Sequence, residues 1–561
     1  MCGIFGYAGK KDAGRIIVEG LKRLEYRGYD SWGVALVSKE GIEVIKKVGA
    51  IGDFKELEEL PLSNIGIGHT RWATHGGVTN VNAHPHFSSD KSFVVAQNGI
   101  VENYQELKKE LLKKNHKFIT ETDTEVIVRL IEEQLKVTKN LFEAIREAFI
   151  LLKGRNTIIV LPTSGKEVYA VRNGSPLVIG ISKGEIYITS DTLSFSNKTN
   201  RAIYLNNYEM VVYKSDTDKL DIFNVNNGNK ISYQESIINQ ENVDIETEGH
   251  SHYMIKEIFE QKDTIRNAVK YSMDDLQEII CAIKNAKNVY TVGAGTAGFA
   301  AGQIAYFLRK IAGIQVTELK SYDIDSYRDI FCQEDLIIAI SQSGETADTI
   351  EAVEHAKSKG VKVASLVNMQ GSTLTRISDY PFLSRSGPEI CVASTKAFTS
   401  QISWGFLLAM SLISKHELAH NEIYRISELL ENAFNPTKFV ETEKVIQNIV
   451  KNFKDKEHFF VLGKGQNFYI ALEGSLKIKE ITYKHFEGFS AGELKHGVIA
   501  LIEKDTPVIV IISDDEYKED MLSAAAQVKA RGAFVVGIAD DDNQLFDIFV
   551  ETSKSELIDS L

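Results

Sequence analysis

As far as about residue 235, apolar positions come in short runs broken by glycine and asparagine, among them Phe93-Val94-Val95-Ala96 and Asn156-Thr157-Ile158-Ile159-Val160. Runs of that length, rich in β-branched and aromatic residues, predict strands, while helical spacing over residues 107–114 and 124–135 predicts helices between them. This half reads as α+β. A polar, acidic stretch over residues 239–251 predicts a linker, and a helical pattern resumes near His252.

Beyond the linker, apolar strands alternate with 12 to 18 residue helical patterns, the signature of a parallel sheet with crossover helices. The pattern occurs twice. Asn288-Val289-Tyr290-Thr291-Val292-Gly293-Ala294-Gly295-Thr296 is echoed by His458-Phe459-Phe460-Val461-Leu462-Gly463-Lys464-Gly465-Gln466, an offset of 463 − 293 = 170. Asp335-Leu336-Ile337-Ile338-Ala339-Ile340-Ser341 is echoed by Pro507-Val508-Ile509-Val510-Ile511-Ile512-Ser513, an offset of 507 − 335 = 172. Near-equal offsets predict an internal duplication. The expected organisation is therefore a domain over 1–238, the linker over 239–251, one α/β lobe over 252–425 and a second over 426–561.

Composition narrows the class. At 561 residues the chain is several times the usual ~150-residue domain. Cys2, Cys281, Cys332 and Cys391 are widely scattered and form no disulfide framework or Cys-x-x-Cys pair. A reducing cytoplasm is the expected setting. A net charge of −13 without a basic block argues against a nucleic-acid surface. The longest apolar stretch, over residues 402–413, is too short to span a bilayer and reads as a buried helix. No membrane partner is expected.

Candidate chemistry begins with the paired lobes. Ser341-Gln342-Ser343-Gly344-Glu345-Thr346 follows a buried strand and precedes a helix, so its hydroxyls and free N–H groups suit a phosphate. The same residues would also serve as an ordinary Ser/Thr helix cap. The second copy has Ser513-Asp514-Asp515-Glu516 there, whose carboxylates would repel a phosphate, so only the first lobe should hold one. Val392-Ala393-Ser394-Thr395-Lys396 adds hydroxyls and a cation. Glu473, Lys477 and Glu480 fall on one face of a predicted helix. A solvated ion pair is one reading of that triplet. The other is an imine-forming lysine beside proton-moving carboxylates, rooted at a Gly-x-Gly turn where α/β folds collect ligands. Gly293-Ala294-Gly295-Thr296-Ala297-Gly298 fits a dinucleotide pattern, but its duplicated setting with a separate phosphate loop argues against nicotinamide.

At the other end, Met1-Cys2-Gly3 places a thiol where removal of the initiator would leave a free α-amine on the same residue, a nucleophile and base in one. A core cysteine is the plainer reading. Arg71, in His69-Thr70-Arg71-Trp72-Ala73-Thr74-His75-Gly76, is suited to a carboxylate. Asn98-Gly99 is equally an oxyanion hole and a hairpin turn. His84-Pro85-His86 has no third ligand at metal spacing, so zinc is disfavoured.

Together, Cys2-Gly3-Ile4, Leu24-Glu25-Tyr26-Arg27-Gly28-Tyr29-Asp30-Ser31, the segment 69–76, Asn98-Gly99 and Glu121-Thr122-Asp123-Thr124-Glu125 resemble the glutaminase domain of class II amidotransferases. The tandem lobes, with segments 341–346, 392–398 and 473–480 and Ala491-Gly492-Glu493-Leu494-Lys495-His496-Gly497, resemble paired sugar isomerase (SIS) domains. The combination resembles the glutamine:fructose-6-phosphate aminotransferase family. That resemblance implies a four-layer αββα N-terminal nucleophile domain followed by two doubly wound α/β lobes. It implies conversion of fructose 6-phosphate and glutamine to glucosamine 6-phosphate and glutamate, the first step of hexosamine synthesis, by a homodimer without metal or organic cofactor. Its alternatives are the same chemistry on another keto-sugar phosphate, or a sugar-phosphate-binding protein with an uncoupled glutaminase.

The resemblance also assigns roles. Cys2 attacks the amide with its own amine as base, and Asn98 and Gly99 hold the oxyanion. Arg71, Trp72, Thr74, His75 and Asp123 bind glutamine, with Trp72 gating an internal ammonia channel. Thr296, Ser341, Gln342, Ser343, Thr346, Val392 and Ser394 bind the sugar phosphate. Lys477 forms the Schiff base, Glu480 shuttles the proton, Glu473 accompanies them, and His496 of a neighbouring subunit helps open the ring. The chain departs from the pattern in having Ala294-Gly295-Thr296-Ala297 where the family usually has Cys-Gly-Thr-Ser, and Lys554 is no match for the lysine of the family's closing tail.

Overall fold

A computed structural model describes residues 2–52, 60–238, 247–553 and 558. Residues 239–246 of the expected linker and Lys554 lie outside the described residues. The chain divides into two compact units, Met1–Ile245 and Glu246–Leu561.

In the first unit, strict two-residue alternation builds two stacked sheets. One has eight strands, in the order Ser236–Ile237, Arg201–Tyr204, Val178–Ser182, Glu185–Thr189, Gly3–Ala8, Ile65–Arg71, Ser31–Ser38, Gly41–Val48. The other has seven, in the order Lys230–Ile231, Lys219–Asn224, Glu209–Lys214, Glu167–Asn173, Asn156–Pro162, Phe93–Gly99, His86–Phe87. Ile4 and Ala8 of the first sheet meet Val94, Ala96, Ile159 and Leu161 of the second in one buried layer. The opposite faces are covered by helices. Phe5 and Tyr7 pack against Ile17 and Leu21 of helix Ala13–Lys22, and Phe93 and Val95 pack against helices Thr124–Thr138 and Leu141–Ile150. The result is the four-layer αββα arrangement. The alternation also sets where the strand ends fall: the C-terminal ends of Ile65–Arg71 and Phe93–Gly99 carry Arg71 and Asn98.

In the second unit, two five-stranded parallel sheets have one topology. Counting strands in chain order within each sheet, both read 2-1-3-4-5. The first comprises Val289–Gly293, Val316–Lys320, Leu336–Ser341, Lys362–Val367 and Tyr380–Leu383. The second comprises His458–Gly463, His485–Ser490, Pro507–Ile511, Phe534–Ala539 and Ile548–Glu551. Both first strands turn sharply into a helix through a glycine with no room for a side chain. A Cβ on Gly293 would lie 2.6 Å from Ala297 O, and one on Gly463 2.1 Å from Asn467 O. The duplication expected from the sequence is therefore present down to the turn. Helix Lys396–Leu412 contains all but the last residue of the apolar stretch expected as a buried helix and is buried along nearly its whole length. Among the described residues, no helix is long and apolar enough to cross a membrane.

Candidate active sites

In a 2-1-3 sheet the connections leave strands 1 and 3 in opposite directions and open a crevice at their C-terminal ends, where ligands collect. In the first lobe the residues at those ends are Thr296 and Ser341. Ser341 Oγ accepts from Gly344 N–H (3.0 Å) and lies 3.1 Å from Thr346 Oγ1, while Ser343 Oγ accepts from Glu345 N–H (3.1 Å). Glu345, the one anion of the loop, accepts from Thr373 N–H (2.6 Å) and Thr373 Oγ1 (2.8 Å), which anchors the loop to the next turn. Thr346 is the N-cap residue of helix Ala347–Ser358, yet no side chain caps the helix. The plain-cap reading of these hydroxyls therefore fails. Gly344 has φ +66°, and a Cβ there would lie 2.1 Å from Ser372 Oγ.

Lys477 lies on helix Asn467–Thr482 of the second lobe and reaches the first. Its Nζ donates to Thr296 Oγ1 (3.0 Å) and Glu480 Oε2 (2.7 Å), with Glu473 Oε1 at 3.5 Å. Thr296 Oγ1 in turn donates to Glu473 Oε1 (3.1 Å). The Lys477 and Glu473 side chains are only 12% and 7% exposed, so the solvated-pair reading fails for them, while Glu480 at 37% faces outward. Burial pushes the Glu473 carboxyl up to about 7, against the pull of Lys477. Two contacts fix the helix to the first lobe. Tyr469 packs on Gly302, where a Cβ would lie 2.1 Å from the Tyr469 ring, and Tyr469 Oη donates to Glu318.

In the segment before helix Lys396–Leu412, Val392 is exposed, and Ser394 Oγ and Thr395 Oγ1 are buried with no hydrogen-bond partner among the described residues. Thr395, one of the hydroxyls noted in that run, is not among the residues expected to bind the sugar phosphate. An unsatisfied buried hydroxyl costs about 1–3 kcal/mol, and here two stand on consecutive residues. His496 belongs to the short turn Leu494–His496 and is exposed. Among the described residues it makes no side-chain hydrogen bond to Lys477, Glu480 or the 341–346 loop.

In the first unit, Cys2 Sγ accepts from Trp72 N–H (3.3 Å). Burial pushes the thiol up, while the Trp72 N–H and the charges of Arg71 and Arg27 pull it down. The Cys2 carbonyl accepts from Asn98 Nδ2 (3.2 Å) and Arg27 Nε (3.2 Å), and Arg27 is itself paired with buried Asp191 (3.2 Å). Sequence reasoning gave Arg27 no role beyond the motif. Asn98-Gly99 is no hairpin turn: the pair closes strand Phe93–Gly99, whose ladder partner is Asn156–Pro162. Gly99 has φ +120°, and a Cβ would lie 1.9 Å from Arg155 O, so glycine is required there.

Burial lowers the Arg71 guanidinium, and the fields of Cys2, Asp123, Asp30 and Glu121 oppose it. The guanidinium donates to the carbonyls of His75 (2.5 Å), Gly76 (3.2 Å) and Gly77 (3.1 Å), holding the loop that contains Thr74 and His75. Asp123 accepts from Val101 N–H (2.8 Å), and Ala73 N–H donates to Asp30 (2.8 Å). Trp72 is 42% exposed and lies edge-on to Tyr29. His84 and His86 are buried against Thr124 and Thr122, and among the described residues no three His, Cys, Asp or Glu side chains form a metal-type group.

The two units thus combine a glutamine amidotransferase with a doubled SIS domain. The description "Glutamine amidotransferase domain" matches residues 69–197, and "SIS domain" matches residues 282–411 and 452–545. The chain is 41% identical to glutamine–fructose-6-phosphate aminotransferase [isomerizing] of Pyrococcus horikoshii, over 99% of this chain and 93% of that protein. It is 39% identical to the Clostridium acetobutylicum enzyme of the same name, over 96% and 90%. Among solved structures, the C-terminal domain of glucosamine-fructose-6-phosphate aminotransferase from Francisella tularensis is 32% identical, covering 55% of this chain and 90% of that one, with a TM-score of 0.49. The chain belongs to the glutamine–fructose-6-phosphate aminotransferase (isomerizing) family.

Proposed function

We propose that this chain transfers the amide nitrogen of glutamine to fructose 6-phosphate and isomerises the product, giving glucosamine 6-phosphate and glutamate. The observation that carries the reading is Lys477, a largely buried amine held by Glu473, Glu480 and Thr296 beside a hydroxyl-rich loop with an uncapped helix behind it.

In the first unit, the Cys2 thiolate attacks the glutamine carbonyl. The developing oxyanion takes hydrogen bonds from Asn98 Nδ2 and the Gly99 N–H, and collapse expels ammonia and leaves a thioester that water hydrolyses to glutamate. Arg71 and Asp123 complement the α-carboxylate and α-amine, and Trp72, Thr74 and His75 line the same site. In the second unit, Ser341, Gln342, Ser343 and Thr346 bind the phosphate, with Thr296, Val392 and Ser394 along the sugar. Lys477 condenses with the opened ketose, ammonia displaces the lysine, and Glu480 moves a proton from C1 to C2. His496 acts from a second copy of the chain in a homodimer, which its exposure and its lack of a local partner in the site support.

Amide-¹⁵N glutamine with fructose 6-phosphate should yield glutamate and labelled amino-sugar phosphate in equal amounts by mass spectrometry. A Cys2→Ala variant should release no glutamate from glutamine yet still bind the sugar. Glutamate without labelled sugar would overturn the synthase reading in favour of another acceptor or an uncoupled glutaminase.

A further inference from the structure

The loop that carries Val392 and the orphaned hydroxyls of Ser394 and Thr395 has no regular structure of its own. Two buried carboxylates hold it, one on each side. Glu257, on helix Tyr253–Ala268 and 2% exposed, accepts from Ile390 N–H (2.5 Å) and Cys391 N–H (3.1 Å). Glu389, 5% exposed, accepts from Thr395 N–H (2.8 Å) and Ala397 N–H (3.1 Å), taking the place of the side-chain cap that helix Lys396–Leu412 lacks. Lys396, also buried, pairs with Glu260 (2.6 Å), which lies near Lys256 on the same helix as Glu257.

We propose that Glu257 is a positioning residue for the sugar site: its ionised carboxylate clamps the backbone at Ile390 and Cys391 and so fixes Val392, Ser394 and Thr395 for the substrate. The inference rests on the sugar site proposed above. Burying a charged acceptor against two N–H groups is favourable only while it stays charged, because a protonated carboxyl accepts more weakly. The charges facing Glu257 are Glu389 from the loop and Lys396 from the following helix, with the neutral thiol of Cys391 beside them; Glu260 and Lys256 flank it on its own helix. Helix His416–Ala433 packs on the far side through Ser427 and the Lys262–Glu431 pair. Burial, followed by repulsion from Glu389, outweighs the N–H contacts and Lys396 and pushes the Glu257 carboxyl up to about 7. The clamp is therefore complete above neutral pH and released below it.

The test is calorimetric binding of fructose 6-phosphate, without glutamine, to the full chain and its Glu257→Gln variant at pH 8 and pH 6. The variant should bind about tenfold more weakly at pH 8, the loss of one charge-assisted contact, and about equally at pH 6, where the wild-type carboxyl is protonated. Titration of the substrate phosphate and of Glu473 is common to both proteins and cancels in the ratio. A ratio near one at pH 8, or a ratio that does not change with pH, overturns the proposal. Ser343→Ala, measured alongside, must weaken binding; if it does not, the sugar site itself is wrong. Should Glu257→Gln melt well below the wild type, hydrogen exchange at Ile390 and Cys391 in the unmodified chain decides instead. Their protection factors should fall severalfold between pH 8 and pH 6, and constant protection overturns the clamp.

Discussion

Lys477 is the residue on which the chemistry proposed for the second unit turns, and its surroundings supply what that chemistry needs. A lysine committed to imine formation must lose a proton to a neighbour, and Glu480 at 2.7 Å and Glu473 at 3.5 Å are both in place to receive it. Borohydride should therefore trap fructose 6-phosphate covalently on Lys477, and Lys477→Ala should reduce trapping to background while sugar binding survives. Trapping that persists at another lysine would displace the assignment. At this scale the sequence was half legible. The spacing of Glu473, Lys477 and Glu480 announced a shared face, but not that Thr296, 181 positions from Lys477, would bond to both Lys477 and Glu473. Glu257 and Glu389 were invisible for a related reason. A carboxylate on a helix reads as solvated until the fold is known to bury it, and only then does its need for N–H partners become a constraint on a loop.

Among elements, the strands and helices that alternate regularly were readable, since burial on one face writes its period into the chain. Phe93–Gly99, Asn156–Pro162 and helix Thr124–Thr138 all extend segments visible beforehand. Asn98-Gly99 shows where local signals mislead: the dipeptide favours a turn, but here the φ of +120° serves a strand end pressed against Arg155 O. The 341–346 loop, the proposed phosphate site, has a similar constraint, and it can be tested. Gly344 holds φ +66° with no space beside Ser372, so Gly344→Ala combines left-handed strain of about 1 kcal/mol with a steric clash. Sugar-phosphate affinity should fall about tenfold or more while glutamate release by the intact Cys2 site persists, a split that paired binding and glutaminase assays would measure. An unchanged affinity would mean that the loop does not hold the phosphate.

For the whole molecule, His496 carries a prediction about assembly. If it completes the sugar site of a second copy, the inactive variants His496→Ala and Lys477→Ala should complement each other when co-expressed. Random pairing makes half of the dimers mixed, and each mixed dimer restores one of its two sites, so about a quarter of wild-type synthase activity should return. No recovery, with mixed dimers verified by differential tagging, would place His496 in its own chain's site or outside the chemistry. The duplicated 2-1-3-4-5 topology has a consequence of its own. Two crevices of one plan began with equal chemical potential, yet one now presents Ser341-Gln342-Ser343 and the other Ser513-Asp514-Asp515 at the same strand end. In the proposed site, the copy without the hydroxyl-rich loop lends the helix after its first strand, with Lys477, to the crevice of its twin. On that reading grip and reactivity are inherited on separate stretches of chain, and a change of sugar preference can be written into one without rewriting the other.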